Sequence, residues 1–161
     1  MSTRRQATLF LVPPVDAAIE SLRARFNRAQ FDLIRAHVTL CREDEVRDWR
    51  ALEARLRRLS TIEVTLAFER PRRDGHLVYI PVAGPTDSFD ALRASLLGDD
   101  VAAPRRHLPH ITLVHPRNGR CDDVAFAEIV EVSAPFTATF RRVALIEQID
   151  GGPWRTRVDF P

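Results

Sequence analysis

Two short phrases in this chain carry side chains that could do chemistry: His37-Val38-Thr39-Leu40 and His110-Ile111-Thr112-Leu113. Each sets a histidine and a threonine two residues apart inside an apolar, β-branched run, the composition of a strand. Successive side chains of a strand point to opposite faces. His37 and Thr39 therefore share one face, and Val38 and Leu40 the other. The same parity sets His110 and Thr112 against Ile111 and Leu113. An imidazole changes charge near neutral pH, so it can take or give a proton. Two of them facing one phosphorus atom can divide the work. A neutral ring removes a proton from the attacking water or hydroxyl, and a protonated ring hands one to the departing oxygen. Each transfer contributes about 10²- to 10⁴-fold. Threonine hydroxyls beside them can bond the non-bridging oxygens where charge builds. Protons and hydrogen bonds then handle the charge, and no metal is required.

A lone His-x-Thr is a weak signal, because most histidines in apolar strands are satisfied core residues. The weight comes from the second copy, 73 positions on (110 minus 37). The elements around the two copies also match. Ala7 to Val12 reads as a first strand, stopped by Pro13-Pro14. Asp16 can cap a helix to about Ala29, with Ile19, Leu22 and Phe26 at helical spacing. After the His37 strand, a helix from about Glu45 to Leu59 carries the stripe Val46, Trp49, Leu52, Leu56 and Leu59. Ile62 to Phe68 alternates as a strand. Arg70 to Gly75 reads as a turn and His76 to Val82 as the next strand. Ser88 or Asp87 can cap a helix holding Phe89, Leu92 and Leu96, with Gly98 as its stop. Asp99 to Leu108 reads as a loop, followed by the His110 strand. A helix then opens at Asp122 or Asp123 and runs to about Val132, before two or three strands over Phe136 to Phe160.

Each half thus runs strand, helix, His-x-Thr-Leu strand, helix, strand. In this alignment Phe10 answers Tyr79, and Ile62 to Phe68 answers Phe136 to Phe140. A period this long, occurring twice, is no solenoid. It suggests a duplicated lobe with a pseudo-two-fold axis, which can bring both His/Thr faces to one cleft.

The totals suit this picture. A chain of 161 residues fits one domain, here 1–161, built of two interleaved lobes. Net charge is only +2, which is no signature of a bulk nucleic-acid binder. All 24 basic residues are arginine, so a Schiff-base lysine and a P-loop lysine are excluded. Cys41 and Cys121 lie far apart and form no C-x-x-C pair, which fits a reducing compartment. The apolar run near the start is too short for a signal or a membrane span. The expectation is a cytoplasmic protein.

Other side chains carry weaker signals than these four. His107, His110 and His115 fit no standard zinc spacing, and His107 and His76 read as a loop and a strand-edge residue. Cys41 shares the His37 face if the strand continues, but a small buried thiol is the default. An aromatic at Phe10 or Tyr79 could stack on a base, with core packing favoured for Phe10. Arg70, Arg72, Arg73, Arg105 and Arg106 could steer an anion, and a solvated surface is their default.

The paired motifs His37-Val38-Thr39-Leu40 and His110-Ile111-Thr112-Leu113 resemble those of the 2H phosphoesterase superfamily, and most of all its 2′-5′ RNA ligase / cyclic phosphodiesterase branch. The resemblance covers nearly the whole chain. It implies an α+β, bilobal fold of two antiparallel sheets with outer helices around a central cleft. It also implies metal-independent opening of 2′,3′-cyclic phosphates to 2′-phosphates, with reversible 2′-5′ RNA joining in some members. His37 and His110 match the catalytic pair, and Thr39 and Thr112 the phosphate holders. The family often places a basic residue five after the second histidine. Here that place holds His115, with Arg117 two further on, and the first motif has Arg42 at its matching place. The implied partner is an RNA terminus or a small cyclic nucleotide, acted on by a monomer with no metal and no cofactor. The rival from another class is a non-catalytic RNA-end or nucleotide binder that keeps the pocket.

Overall fold

In the computed structural model the described residues are 1–100 and 106–161. Of the loop expected over Asp99 to Leu108, residues 101–105 lie outside them, Arg105 included. The elements in order are β1 (Thr3–Phe10), α1 (Val15–Phe26), α2 (Arg28–Leu33), β2 (His37–Arg42), α3 (Trp49–Arg58), β3 (Val64–Phe68), β4 (Arg72–Asp74) and β5 (Leu77–Ala83). Next come α4 (Asp87–Leu97), a 3₁₀ turn (Gly98–Asp100), β6 (His110–Val114), α5 (Asp123–Val132), β7 (Phe136–Phe140), β8 (Val143–Ile149) and β9 (Arg155–Phe160). No helix among the described residues is long and apolar enough to cross a membrane.

The strands follow the order β7-β3-β5-β6-β2-β1-β8-β9, with β4 paired to β5. Every pairing is antiparallel, as the α+β expectation requires. The two expected sheets are the two wings of this ladder. They meet at β2 and β6, which share the single Cα pair Val38↔Ile111. That one pairing puts the two motifs side by side.

The apolar positions of the motifs point away from the histidines. Val38, Leu40, Ile111 and Leu113 are buried with Ile19 of α1, Leu52 and Leu56 of α3, Phe89 and Leu96 of α4 and Ile129 of α5. Each such side chain, fully buried, stabilises the fold by about 1.5–3 kcal/mol. The helices therefore cover one face of the ladder, and the histidines face the other side.

Several boundaries differ from the sequence expectation. The helix expected over Asp16 to Ala29 is two helices, α1 and α2. Asn27 breaks it because its non-helical backbone (φ −150°, ψ 65°) lets its side chain accept from the Gln30 N–H and cap α2. The helix expected from Glu45 starts at Trp49, since the Asp48 carboxylate caps the Arg50 and Ala51 N–H groups. β1 starts at Thr3 rather than Ala7, because its polar positions line a cleft instead of ending the strand. The expected turn over Arg70 to Gly75 contains β4, which makes a hairpin with β5. The helix stop at Gly98 is as expected, with φ +62°.

The half-to-half alignment needs two corrections. β3 and β7, expected as counterparts, pair with each other from Val64↔Phe140 to Phe68↔Phe136. Counted outward from the β2–β6 seam, β8 occupies the place that β3 holds in the other wing. Phe10 and Tyr79 are also not equivalent. Phe10 lies opposite His37 and Thr8 opposite Thr39, whereas Pro81 lies opposite His110 and Tyr79 opposite Thr112. The sequence alignment was two residues out, which strand periodicity cannot reveal because a shift of two preserves parity.

Candidate active site

His37, Thr39, His110 and Thr112 line one cleft of about 790 Å³, within the range of small-molecule sites. All four are half-buried, between neighbours buried against the helices. Both histidines are held in the same way. His37 Nδ1 lies 2.8 Å from the Arg35 carbonyl, and His110 Nδ1 lies 2.9 Å from the Leu108 carbonyl. A carbonyl only accepts, so each Nδ1 carries a proton and donates it. In the neutral ring Nε2 then keeps its lone pair. Neither threonine hydroxyl has a protein partner among the described residues.

Arg42 and His115 reach the same cleft by matching irregularities. In β2 the register slips so that Ala7 pairs with Cys41 and Thr8 with Thr39. One residue, Leu40, is extra. In β6 Val78 pairs with Val114 and Tyr79 with Thr112, so Leu113 is extra. These are β-bulges, which re-aim the side chains that follow. Simple alternation places Cys41 with His37 and turns Arg42 away. The bulge reverses both: Cys41 is fully buried and Arg42 lines the cleft. His115 is delivered the same way. Burial pushes the Cys41 thiol up to about 12, which removes it as a nucleophile.

Arg117 also lines the cleft. Its backbone N–H donates to His115 Nδ1 at 3.1 Å. In neutral His115 the proton therefore sits on Nε2, the reverse of the arrangement in His37 and His110. His115 is thus a neutral N–H donor at the place where the resemblance expects a cation. Phe10 and Tyr79 stand outside the cleft lining. Their rings meet the histidines edge-on, Phe10 on His37 at 6.2 Å and Tyr79 on His110 at 5.7 Å between centroids.

Some lining residues lie beyond the sequence expectation: Arg4, Gln6, Gln148 and Trp154. Arg4 and Gln6 fall on alternate positions of β1, in register with Thr8 and Phe10. That signal is present, but it disappears when the strand is started at Ala7. His107 is in a loop, as expected, but its ring supports the site. Its Nε2 donates to the Thr39 carbonyl at 2.9 Å, and it stacks on Phe89 with centroids 6.0 Å apart.

Burial and neighbouring cations lower three histidines at or beside the cleft. Burial lowers His37 to about 4, helped by the charges of Arg23 and His110 and opposed by its bond to Arg35. Burial, with Arg42 and Arg93, lowers His107 to about 4. Burial, Arg117 and Arg4 lower His115. His37 and His107 thus hold folded values below their ordinary 6.5. Above pH 6.5 they are neutral in both the folded and unfolded chain. As pH falls from 6.5 towards 4 the unfolded chain takes up protons that the folded chain does not. Stability therefore drops through that window, by at most about 1.4 kcal/mol per pH unit for each ring. The urea midpoint is expected to be lower at about pH 4.5 than at about pH 7, with a smaller drop in His107→Gln. An equal drop in the variant contradicts the assignment.

A model of the 2′-5′ RNA ligase superfamily matches residues 11–152, which include both motifs. The chain belongs to the 2′-5′ RNA ligase superfamily, the 2H phosphoesterases. The fold agrees with solved structures of low sequence identity. Apo Escherichia coli LigT is 15% identical with a TM-score of 0.66, covering 98% of this chain and 96% of that one. The protein TT0787 of Thermus thermophilus is 20% identical with a TM-score of 0.54 over 98% and 96%. The MHV ns2 PDE domain is 13% identical with a TM-score of 0.52 over 91% and 100%. E. coli LigT has also been solved with phosphate and with 3′-AMP. A comparison with curated proteins found no match. For this 2H phosphoesterase, the two bulges give a structural reason why a polar residue five after each histidine reaches the cleft.

Proposed function

We propose that the chain is a metal-independent phosphodiesterase that opens 2′,3′-cyclic phosphates, on RNA ends or small nucleotides, to 2′-phosphates. The observation that carries this reading is the matched pair of clamps: His37 Nδ1 on the Arg35 carbonyl and His110 Nδ1 on the Leu108 carbonyl. They leave two Nε2 atoms to exchange protons, from adjacent strands on one cleft.

In this reading the surroundings support one division of roles. His37 is held neutral at neutral pH, so it acts as the base and His110 as the acid. Water attacks phosphorus and gives a proton to His37 Nε2. The P–O3′ bond breaks, and protonated His110 passes its Nε2 proton to O3′. The product is a 2′-phosphate with a free 3′-hydroxyl, and solvent resets both rings. Thr39 and Thr112 donate to the non-bridging oxygens, where charge rises in the transition state. Arg42, Arg117 and the His115 N–H add positive potential around the anion. A 5′-hydroxyl in place of water gives a 2′-5′ linkage by the same two transfers.

Family membership and the complexes of E. coli LigT with phosphate and 3′-AMP support a nucleotide-sized phosphoester. The test is incubation with adenosine 2′,3′-cyclic phosphate in EDTA, followed by phosphorus NMR. The expected product is the 2′-monophosphate alone. A 3′-monophosphate, or no turnover, overturns the proposal.

A further inference from the structure

We infer that the wing of the cleft beyond the two motifs is a nucleobase pocket, with the Arg4–Trp154 pair as its stacking platform and Gln6 as the group that reads the base edge. This rests on the phosphodiester reading above and names what lies next to the phosphate.

The first observation is a small apolar cluster separate from the main core. Ile34, Ala144 and Ile146 are buried together, with Phe10 and Trp154 packed on them. Ile34 and Trp154 also line the cleft that holds His37 and His110. An apolar floor beside a strongly polar phosphate site suits a ligand with one anionic end and one flat, apolar end.

The second is the platform. The Arg4 guanidinium lies over the Trp154 ring, 5.5 Å from its centroid. It is fixed from two sides, by Glu43 Oε1 at 3.1 Å and by Gln148 Oε1 at 3.4 Å. Gln148 is itself held by donating to the Gly152 carbonyl at 2.8 Å. A fixed guanidinium on an indole is a two-layer stack that a third flat ring can join. Nucleobases are held in this way on arginine planes and aromatic faces.

The third is an unmet hydrogen bond. Gln6 lines the cleft, and its Oε1 is buried with no hydrogen-bond partner among the described residues. A buried acceptor left without a donor is unfavourable. A base edge that sets an N–H beside a ring nitrogen, as adenine does, pairs with both ends of a glutamine amide. Gln6 lies two residues along β1 from Thr8, which faces Thr39 across the ladder. At about 3.3 Å per residue that is roughly 7 Å along the strand, a gap that a ribose bridges.

The test compares adenosine 2′,3′-cyclic phosphate with the base-free 1-O-methylribose 2,3-cyclic phosphate. In the native chain kcat/KM for the adenosine compound is expected to exceed that of the base-free one by at least tenfold, mostly through KM. In Trp154→Ala the ratio falls towards one, and in Gln6→Leu it falls several-fold. An unchanged ratio in Trp154→Ala, or no preference in the native chain, overturns the pocket while leaving the phosphodiesterase reading in place. Binding supplies a second readout that needs neither turnover nor an unstable variant. In a Trp49→Phe background, adenosine 2′-monophosphate should quench the Trp154 fluorescence, and 1-O-methylribose 2-phosphate should not. If neither cyclic phosphate turns over, the catalytic reading fails and this titration still decides the pocket: selective quenching supports it, and equal or absent quenching overturns it.

Discussion

Replacing His37 with alanine is expected to lower kcat on a 2′,3′-cyclic phosphate by about 10²–10⁴-fold, and replacing His110 should do the same. In the proposed reaction each ring performs one of two proton transfers, and neither can be lent by a neighbour. His115 offers the cleft an N–H where a base needs a lone pair. The His107 Nε2 is already committed to the Thr39 carbonyl. The double variant should be little worse than either single one, because residues that act as a unit are not additive. Stability should change little, since both rings are half-buried on the cleft side and the buried Val38 and Ile111 beside them are untouched. Rates measured with matched melting curves check this. Native-like turnover in either variant, with the fold intact, would falsify the acid–base pair.

Arg93→Met is expected to cost about 3–5 kcal/mol of stability, the size seen when one partner of a buried ion pair is removed. Arg93 on α4 is paired with Glu45, and both side chains are almost fully buried. It also donates to the Leu40 carbonyl at 2.7 Å. Leu40 is the extra residue of the first bulge, and a bulge leaves a backbone group outside the ladder. Glu45 in turn accepts from the Arg42 N–H at 3.1 Å. The pair therefore staples the bulge to α4 from both sides. Replacing both partners by apolar residues should recover part of the loss, because no buried charge is then left alone. Urea denaturation of the single and double variants measures it, and a loss below about 1 kcal/mol in Arg93→Met contradicts the staple.

The His/Thr motifs and their faces were legible in the sequence, because strand parity is a local property. Val38 and Ile111 fall on the buried side, and His37 and His110 on the open side, as alternation requires. A helix opening at Asp122 or Asp123 was legible for the same kind of reason: the Asp122 carboxylate that caps it needs only the N–H of Ala125. What could not be read depends on the partner strand. Nothing local marks Leu40 or Leu113 as extra residues, and only the register against β1 and β5 makes them so. Cys41 was placed with His37 on that account, and the route by which Arg42 and His115 reach the cleft stayed hidden. Phe10 and Tyr79 were aligned by their neighbouring residues, whereas their pairing with His37 and Thr112 is fixed across the ladder. Glu45 looked like the start of a helix, but its carboxylate is drawn to Arg93, 48 positions away.

The two bulges make chain length between landmarks part of the chemistry. Deleting one residue between His37 and Arg42, or inserting one between His110 and His115, would rotate the polar group to the apolar side. A guanidinium there is strongly disfavoured by loss of hydration. Point replacements can drift along these strands while the count of five holds. A change of frame cannot be absorbed one residue at a time, so in this architecture the spacing constrains function more tightly than the identity of the residues between.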